Sequence, residues 1–287
     1  MKRWVPFLLL SFLWGSSFIL MKRGLDAFSP LQIAALRICI AGLVMLPFVW
    51  GKAKQVSKKA WPYILLIGLI GNAIPAFLFP LAETKINSSS TGILNVMSPV
   101  FTLVLGLTFF GFRFKKKQIY GVFLGFVGAI ILLSMGGGEL NMGNHINYSL
   151  LVVFATVLYG LSTNITKKHL QHTSPIFASG FALVFVSIPY WIYLLGFSDI
   201  EQVFATNEYA WASLGYISIL AAMGTSLALV LFYYLVQQTD TLFSSSVTYI
   251  IPVVALAWGV LDGEIISPWE LLGMLVIMAG VYLINSK

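Results

Sequence analysis

SSSTGILNVMSPVFTLVLG, residues 88–106, reads as an apolar helix with a single polar stripe, in which Ser88, Gly92, Asn95, Pro99, Thr102 and Gly106 fall at helical spacing. About 153 residues later, between Thr241 and Gly259, a second stripe runs in register: Thr241, Ser245, Thr248, Pro252, Ala255 and Gly259. Each stripe has a proline at its middle, which donates no backbone hydrogen bond and so releases the carbonyl four residues earlier. Those carbonyls belong to Asn95 and Thr248. In a bilayer an interrupted helix is tolerated only where protein or a water-lined cavity satisfies it. The stripes therefore read as two walls of a binding site, with Pro99 and Pro252 as hinges. Close packing of two helices uses the same small residues and is the alternative reading.

Composition sets the environment. Of 287 residues, 59% are hydrophobic and 9% charged, and the mean hydropathy is +0.90. Soluble domains carry about 25% charged residues, so the chain reads as an integral membrane protein. The single cysteine, Cys39, excludes an internal disulfide and a thiolate metal site. His145, His169 and His172 fall in connections, so no metal or other cofactor is expected. The net charge of +7 lies in short clusters at the ends of apolar runs, where it addresses lipid headgroups and topology and not nucleic acid.

Ten apolar runs are long enough to cross a bilayer, near 4–22, 30–50, 61–82, 88–110, 118–136, 147–167, 175–197, 209–236, 241–261 and 269–285. Residues 13–30 laid over 158–175 match Trp14 with Tyr159, Gly15 with Gly160, Ser17 with Ser162, Lys22 with Lys167 and Ser29-Pro30 with Ser174-Pro175. With a shift of 153, Gly71 meets Gly224 and Phe79 meets Phe232; with 152, Gly121 and Gly128 meet Gly273 and Gly280. Two five-helix repeats are expected, 1–137 and 146–287. Five is odd, so the second enters the membrane from the opposite side. The expected fold is all-α, an integral membrane protein of ten transmembrane helices in two inverted repeats.

Charge gives the orientation. With a cytoplasmic N-terminus, 13 Lys and Arg residues fall in inside segments against 3 outside, Lys22, Arg23 and Lys85. Both termini are then cytoplasmic, in the cell (inner) membrane. Equivalent connections change sign between the halves, with Lys52 to Lys59 against Asp199, Glu201 and Glu208. The pairs Lys22-Arg23 and Lys167-Lys168 stay basic on both sides, against the rule.

The runs LWGSSFILMKRGL (13–25), SPLQIAALR (29–37) and WGVLDGEIISPWELLGMLVIMAGVYLI (258–284) resemble the drug/metabolite transporter superfamily, in its EamA-type branch. The resemblance spans the chain as two tandem copies. It implies a secondary carrier with a central cavity between inverted halves, often exporting amino acids or other small metabolites. The acid common after the fourth helix of a repeat is Glu264 in the second copy, whereas the first has Phe112.

The candidate substrate-binding residues are Trp14, Asn72, Thr91, Asn95, Tyr159, Thr248 and Tyr249. Trp14 and Tyr159 share a repeat position at mid-depth, away from any interfacial belt, and Asn72 is an amide near midplane that needs a partner or a substrate. Trp50, Trp61, Trp211 and Trp269 sit at span ends and are assigned to the belt. Arg37, about seven residues into its span, either holds a substrate carboxylate or ties its helix to a neighbour; Ala182 at the matching position favours the structural role. Glu83, at a span end, reads as a solvated carboxylate or, failing that, as a proton-coupling group. The serine runs 88–90 and 244–246 read as helix caps. Gly121, Gly125, Gly128, Gly273 and Gly280 form contact faces, either within the bundle or in a homodimer.

No phosphate loop occurs, and no serine has a histidine or lysine base within the membrane, so neither an ATP-driven pump nor an enzyme is expected. The expected function is alternating-access transport of a small, amino-acid-like or amphipathic metabolite. The alternative is a membrane receptor or accessory subunit that binds a metabolite without moving it.

Overall fold

The computed structural model describes residues 3–86, 91, 92, 94–135, 146–254 and 268–285. Ser88 to Ser90, and Ala255, Trp258, Gly259, Asp262, Gly263 and Glu264, lie outside the described residues. The described chain is helical and contains no strand. Among the described residues six helices are long and apolar enough to cross a membrane: α1 (Trp4–Gly24), α2 (Pro30–Val49), α3 (Trp61–Glu83), α6 (Ile146–His169), α7 (Pro175–Gly196) and α8 (Ala210–Gln238). Between and after them run the shorter α4 (Asn95–Thr108) and α9 (Thr241–Val254), with α5 (Lys116–Met135) and α10 (Pro268–Asn285). Large apolar side chains on the outer faces remain exposed, among them Phe48, Leu65, Phe154, Ile192 and Leu275. A surface of this kind is stable against lipid and not against water. Trp50 and Trp211 are exposed as belt residues should be, whereas Trp61 packs edge-on against Phe181 with ring centroids 4.8 Å apart.

Helix starts follow from local chemistry. Ser29 and Gln32 form a reciprocal capping box ahead of Pro30, and Gln32 also reaches Asp199 at 2.8 Å across the bundle. Asp240 Oδ1 accepts from the Phe243 amide at 2.8 Å and so opens α9.

The helices that matter most are irregular at mid-depth. α3 widens into a π turn over Leu69–Ala73, and α8 does so over Leu220–Leu227. Polar side chains repair the carbonyls: Asn72 Nδ2 donates to Ile67 at 3.1 Å, and Thr225 and Ser226 hydroxyls donate to Leu220 at 3.2 Å and Ala221 at 3.0 Å. α4 and α9 tighten instead, into 3-10 turns at Asn95–Met97 and Ser246–Tyr249, each shortly before its proline. The carbonyl of Asn95, expected to be free, accepts from the Ser98 amide and from Ser98 Oγ at 2.8 Å. The turn thus absorbs what the proline releases.

The two halves interlock through glycines. A Cβ on Gly160 would stand 2.8 Å from the Thr102 backbone nitrogen, and one on Gly15 would stand 2.6 Å from Val254 Cβ. These gaps seat α6 on α4 and α1 on α9. The glycines of α5 and α10 meet each other in the same way: a Cβ on Gly121 would lie 2.7 Å from the Gly280 carbonyl, and one on Gly128 would lie 2.9 Å from that of Gly273. That contact face, open in sequence to a homodimer, is taken up within the chain.

Candidate functional site

Seven helices surround a cavity at mid-depth. α1 contributes Trp14, Ser17, Phe18 and Met21; α2 contributes Arg37; α3 contributes Gly71, Asn72 and Phe79. From the other side come Asn95 and Ser98 of α4, Tyr159, Ser162 and Thr163 of α6, and Gly224, Thr225, Leu229, Phe232 and Tyr233 of α8. Ser245, Thr248 and Ile251 of α9 close the wall.

Small residues bring these helices close. Gly71 faces Ser162 on α6, and a Cβ on Gly224 would stand 2.7 Å from Ser17 Oγ on α1. The two contacts are the same pair of repeat positions with the halves exchanged. Trp14 spans one of them, donating Nε1–H to the Gly224 carbonyl at 3.1 Å, while its ring lies 5.2 Å from Phe232. Tyr159 stacks on Phe79 with centroids 5.9 Å apart and 21° between planes, and Phe18 stands 6.0 Å from Phe79.

Polarity is sparse and directional. Arg37 is the one formally charged side chain among the described residues that line the cavity. Its Nε donates to Thr225 Oγ1 at 2.8 Å, tying α2 to the π turn of α8, and Nη1 lies 3.8 Å from Met21 Sδ. The guanidinium thus anchors a helix and faces the cavity at once. Around it are hydroxyls already donating to their own helices, as Thr248 does to Ser245 at 2.9 Å and Thr163 to Tyr159 at 2.8 Å. Their oxygen lone pairs remain as acceptors. Tyr233 is buried on the wall, with Asn72 and Ser162 beside its hydroxyl. The chemistry suits a molecule with one anionic group, a donor group and an apolar body, and it does not suit a multiply charged anion.

Of the sequence candidates, Trp14, Arg37, Asn72, Asn95, Tyr159 and Thr248 meet on this cavity, and three placements differ from expectation. Tyr249 is fully buried on the far side of α9: its hydroxyl donates to the Val122 carbonyl at 2.7 Å, and its ring occupies the space that Gly125 leaves. Thr91 is buried and off the wall. Glu83 is no solvated carboxylate, since both its oxygens are buried without a hydrogen-bond partner. Pro99 and Pro252 are buried where the 3-10 turns pass into α-helix. Absent from the candidates were Ser17, Ser162, Thr225 and Tyr233, together with the aromatic pair Phe79 and Phe232. All but Thr225 and Tyr233 had a signal, as repeat-matched positions.

The two ends of the bundle differ. Tyr63 at the start of α3 stacks on His169 at the end of α6, with centroids 3.9 Å apart, and Ser213 near the start of α8 donates to the Arg23 carbonyl near the end of α1 at 2.8 Å. At the first of these ends Lys167 caps the C-terminus of α8, donating Nζ to the carbonyls of Val236 at 3.1 Å, Gln237 at 3.3 Å and Thr239. Gln237 returns hydrogen bonds to Leu170 at 2.8 Å and Thr173 at 2.7 Å. Lys167 thus has a local task there, neutralising a helix C-terminus. Its repeat counterpart Lys22, at the opposite end, is exposed.

Comparison with known proteins gives a consistent set. The model of the EamA-like transporter family matches residues 3–134 and again 147–286. An uncharacterized transporter of Archaeoglobus fulgidus is 25% identical over 294 residues, covering 100% of both chains. A probable amino-acid metabolite efflux pump of Salmonella typhimurium is 28% identical over 288 residues, covering 96% of this chain and 92% of its own. An uncharacterized inner membrane transporter of Escherichia coli K12 is 25% identical, covering 95% and 87%. A crystal structure 16% identical in sequence superposes with a TM-score of 0.76 over 99% of this chain and 96% of that one, a likeness of fold.

Proposed function

The chain belongs to the EamA-like transporter family, and from that premise we propose a secondary carrier that moves a small amino-acid-like or amphipathic metabolite across the cytoplasmic membrane by alternating access. The observation that carries this reading is the mid-depth cavity whose wall is built from the same repeat positions contributed twice: Trp14 and Tyr159, Ser17 and Ser162, Gly71 and Gly224, Phe79 and Phe232. In this reading ten helices cross the membrane as inverted repeats, 1–137 and 146–287, with both termini cytoplasmic. It is supported by the opposed directions of α1 against α6 and α3 against α8, given by the contacts at the two ends.

A site shared by two such halves opens to either face when one half rocks against the other. The π turns of α3 and α8 and the proline joints of α4 and α9 supply the compliant points beside it. The substrate class follows from the lining: Arg37 takes a carboxylate, hydroxyl oxygens take donors, and the ring of aromatics takes an apolar body. The family relative named a probable amino-acid metabolite efflux pump points to the same substrate class.

The test is transport by proteoliposomes loaded with a mixed pool of amino acids and small metabolites. Asn95→Leu and Thr248→Leu should each abolish flux in protein that remains folded and inserted. Wild-type flux in both variants would remove the cavity from the mechanism.

A further inference from the structure

We propose that Glu83 is a proton-binding site that couples transport to the proton gradient, placed behind an aromatic layer at the end of the cavity opposite Lys167. Its use in coupling rests on the carrier reading above; its capacity to bind a proton does not. Both carboxylate oxygens are buried and have no hydrogen-bond partner. An ionised carboxylate is among the most costly groups to leave in that condition, and a protein that keeps one there must supply a proton, a counter-charge or both.

The surroundings supply each in turn. Glu83 lies one helical turn beyond Phe79, on the same face of α3. Phe79 lines the cavity and stacks on Tyr159, and Glu83 lies a turn beyond this aromatic pair, off the cavity wall. The charges that face Glu83 are Lys22 from α1 and Arg37 from α2. Arg37 also acts on Tyr159 of α6 and on Tyr190 of α7, whose hydroxyl is engaged with the Ala73 carbonyl at 2.8 Å. The next two residues of the chain, Thr84 and Lys85, are exposed.

Arg37 therefore stands between two anionic claimants, Glu83 and whatever carboxylate enters the cavity. When a substrate carboxylate engages Arg37, the counter-charge available to Glu83 falls and a proton is taken up from solution onto its Oε. When the substrate leaves, the proton is released and Glu83 again balances Arg37. Such a linkage is reciprocal, so proton and anion each raise the other's affinity.

Infrared difference spectra of the purified protein in lipid, stepped from acidic to alkaline medium, read the protonated carboxyl directly. A carbonyl band that appears and disappears with pH, vanishes in Glu83→Gln and persists at a displaced frequency in Glu83→Asp is the expected result, and Arg37→Gln should move its midpoint. Identical spectra for wild type and Glu83→Gln would overturn the proposal. A second arm follows proton movement into liposomes while an equal mixture of the twenty amino acids is applied as the probe. Wild type should move protons with the probe, and Glu83→Gln should lose that movement. Unaltered proton movement in Glu83→Gln would refute the coupling while leaving the carrier reading intact. If wild type carries none of the probe, the carrier reading fails for this class and the coupling with it, and the infrared arm still decides the proton site.

Discussion

Replacing Lys167 by methionine should unfasten the end of the bundle where α6, α8 and α9 converge. The ammonium donates to three backbone carbonyls at the end of α8, those of Val236, Gln237 and Thr239. Hydrogen bonds to a charged group contribute about 1.5–3 kcal/mol each when counted alone. These three share one partly exposed donor group, and Gln171 also serves the Gln237 carbonyl at 2.7 Å. The set as a whole is therefore worth about 2 kcal/mol, or roughly 30-fold in the equilibrium between fastened and open forms. Methionine keeps the length and apolar stem and removes only the donors. The assay is the rate at which a membrane-impermeant maleimide labels Ser245→Cys, a cavity position, in a Cys39→Ala background. Labelling from the Lys167 side should rise by roughly that factor in Lys167→Met, subject to the same estimate. Lys167→Arg should lie near wild type, because a guanidinium retains several donors. An unchanged rate in Lys167→Met would refute the argument that this cap holds the end shut.

Gly160→Val should be the most damaging of the interlocking glycine changes, since the added carbon meets the α4 backbone at Thr102, costing about 3 kcal/mol or more, read as lost folded yield in detergent. Gly71→Ala meets the Ser162 side chain, whose hydroxyl can turn away while its Cβ stays 3.1 Å off, and should cost about 1–2 kcal/mol in thermal stability. Tyr249→Phe should lower stability by about 1 kcal/mol through the lost bond to Val122 yet leave transport unchanged, whereas Tyr159→Leu should reduce flux with little loss of fold. Gly280→Leu should separate α5 from α10 and lower the folded yield, with no change of oligomeric state by sedimentation.

Much of the cavity was legible in the sequence, though by a different signal from the one that polarity offers. The repeat matches of Trp14 with Tyr159, Ser17 with Ser162, Gly71 with Gly224 and Phe79 with Phe232 all fall on the wall. A shared position in two halves that surround one space tends to be a position facing that space. Polarity alone misled for Tyr249, because a stripe of small residues states which face of α9 is special but not which neighbour an adjacent ring will choose. The π turns were not legible. One residue of extra backbone leaves no compositional trace, and it moves Thr225 to where its hydroxyl can receive Arg37. Glu83 was misread for a related reason: a helix end in sequence suggests exposure, while the packing of α1 and α2 over that end removes it from water.

The glycine seam between α5 and α10 bears on how the chain is made. α10 leaves the ribosome about half a chain after α5, yet it supplies the surface against which α5 must close. Until then α5 presents a face with no Cβ atoms to cover its backbone, seated only against lipid. Assembly of the first half is thus completed only by a helix of the second. A chain stopped before Pro268 should enter the membrane but be cleared as an unfinished product, however sound its first helices are.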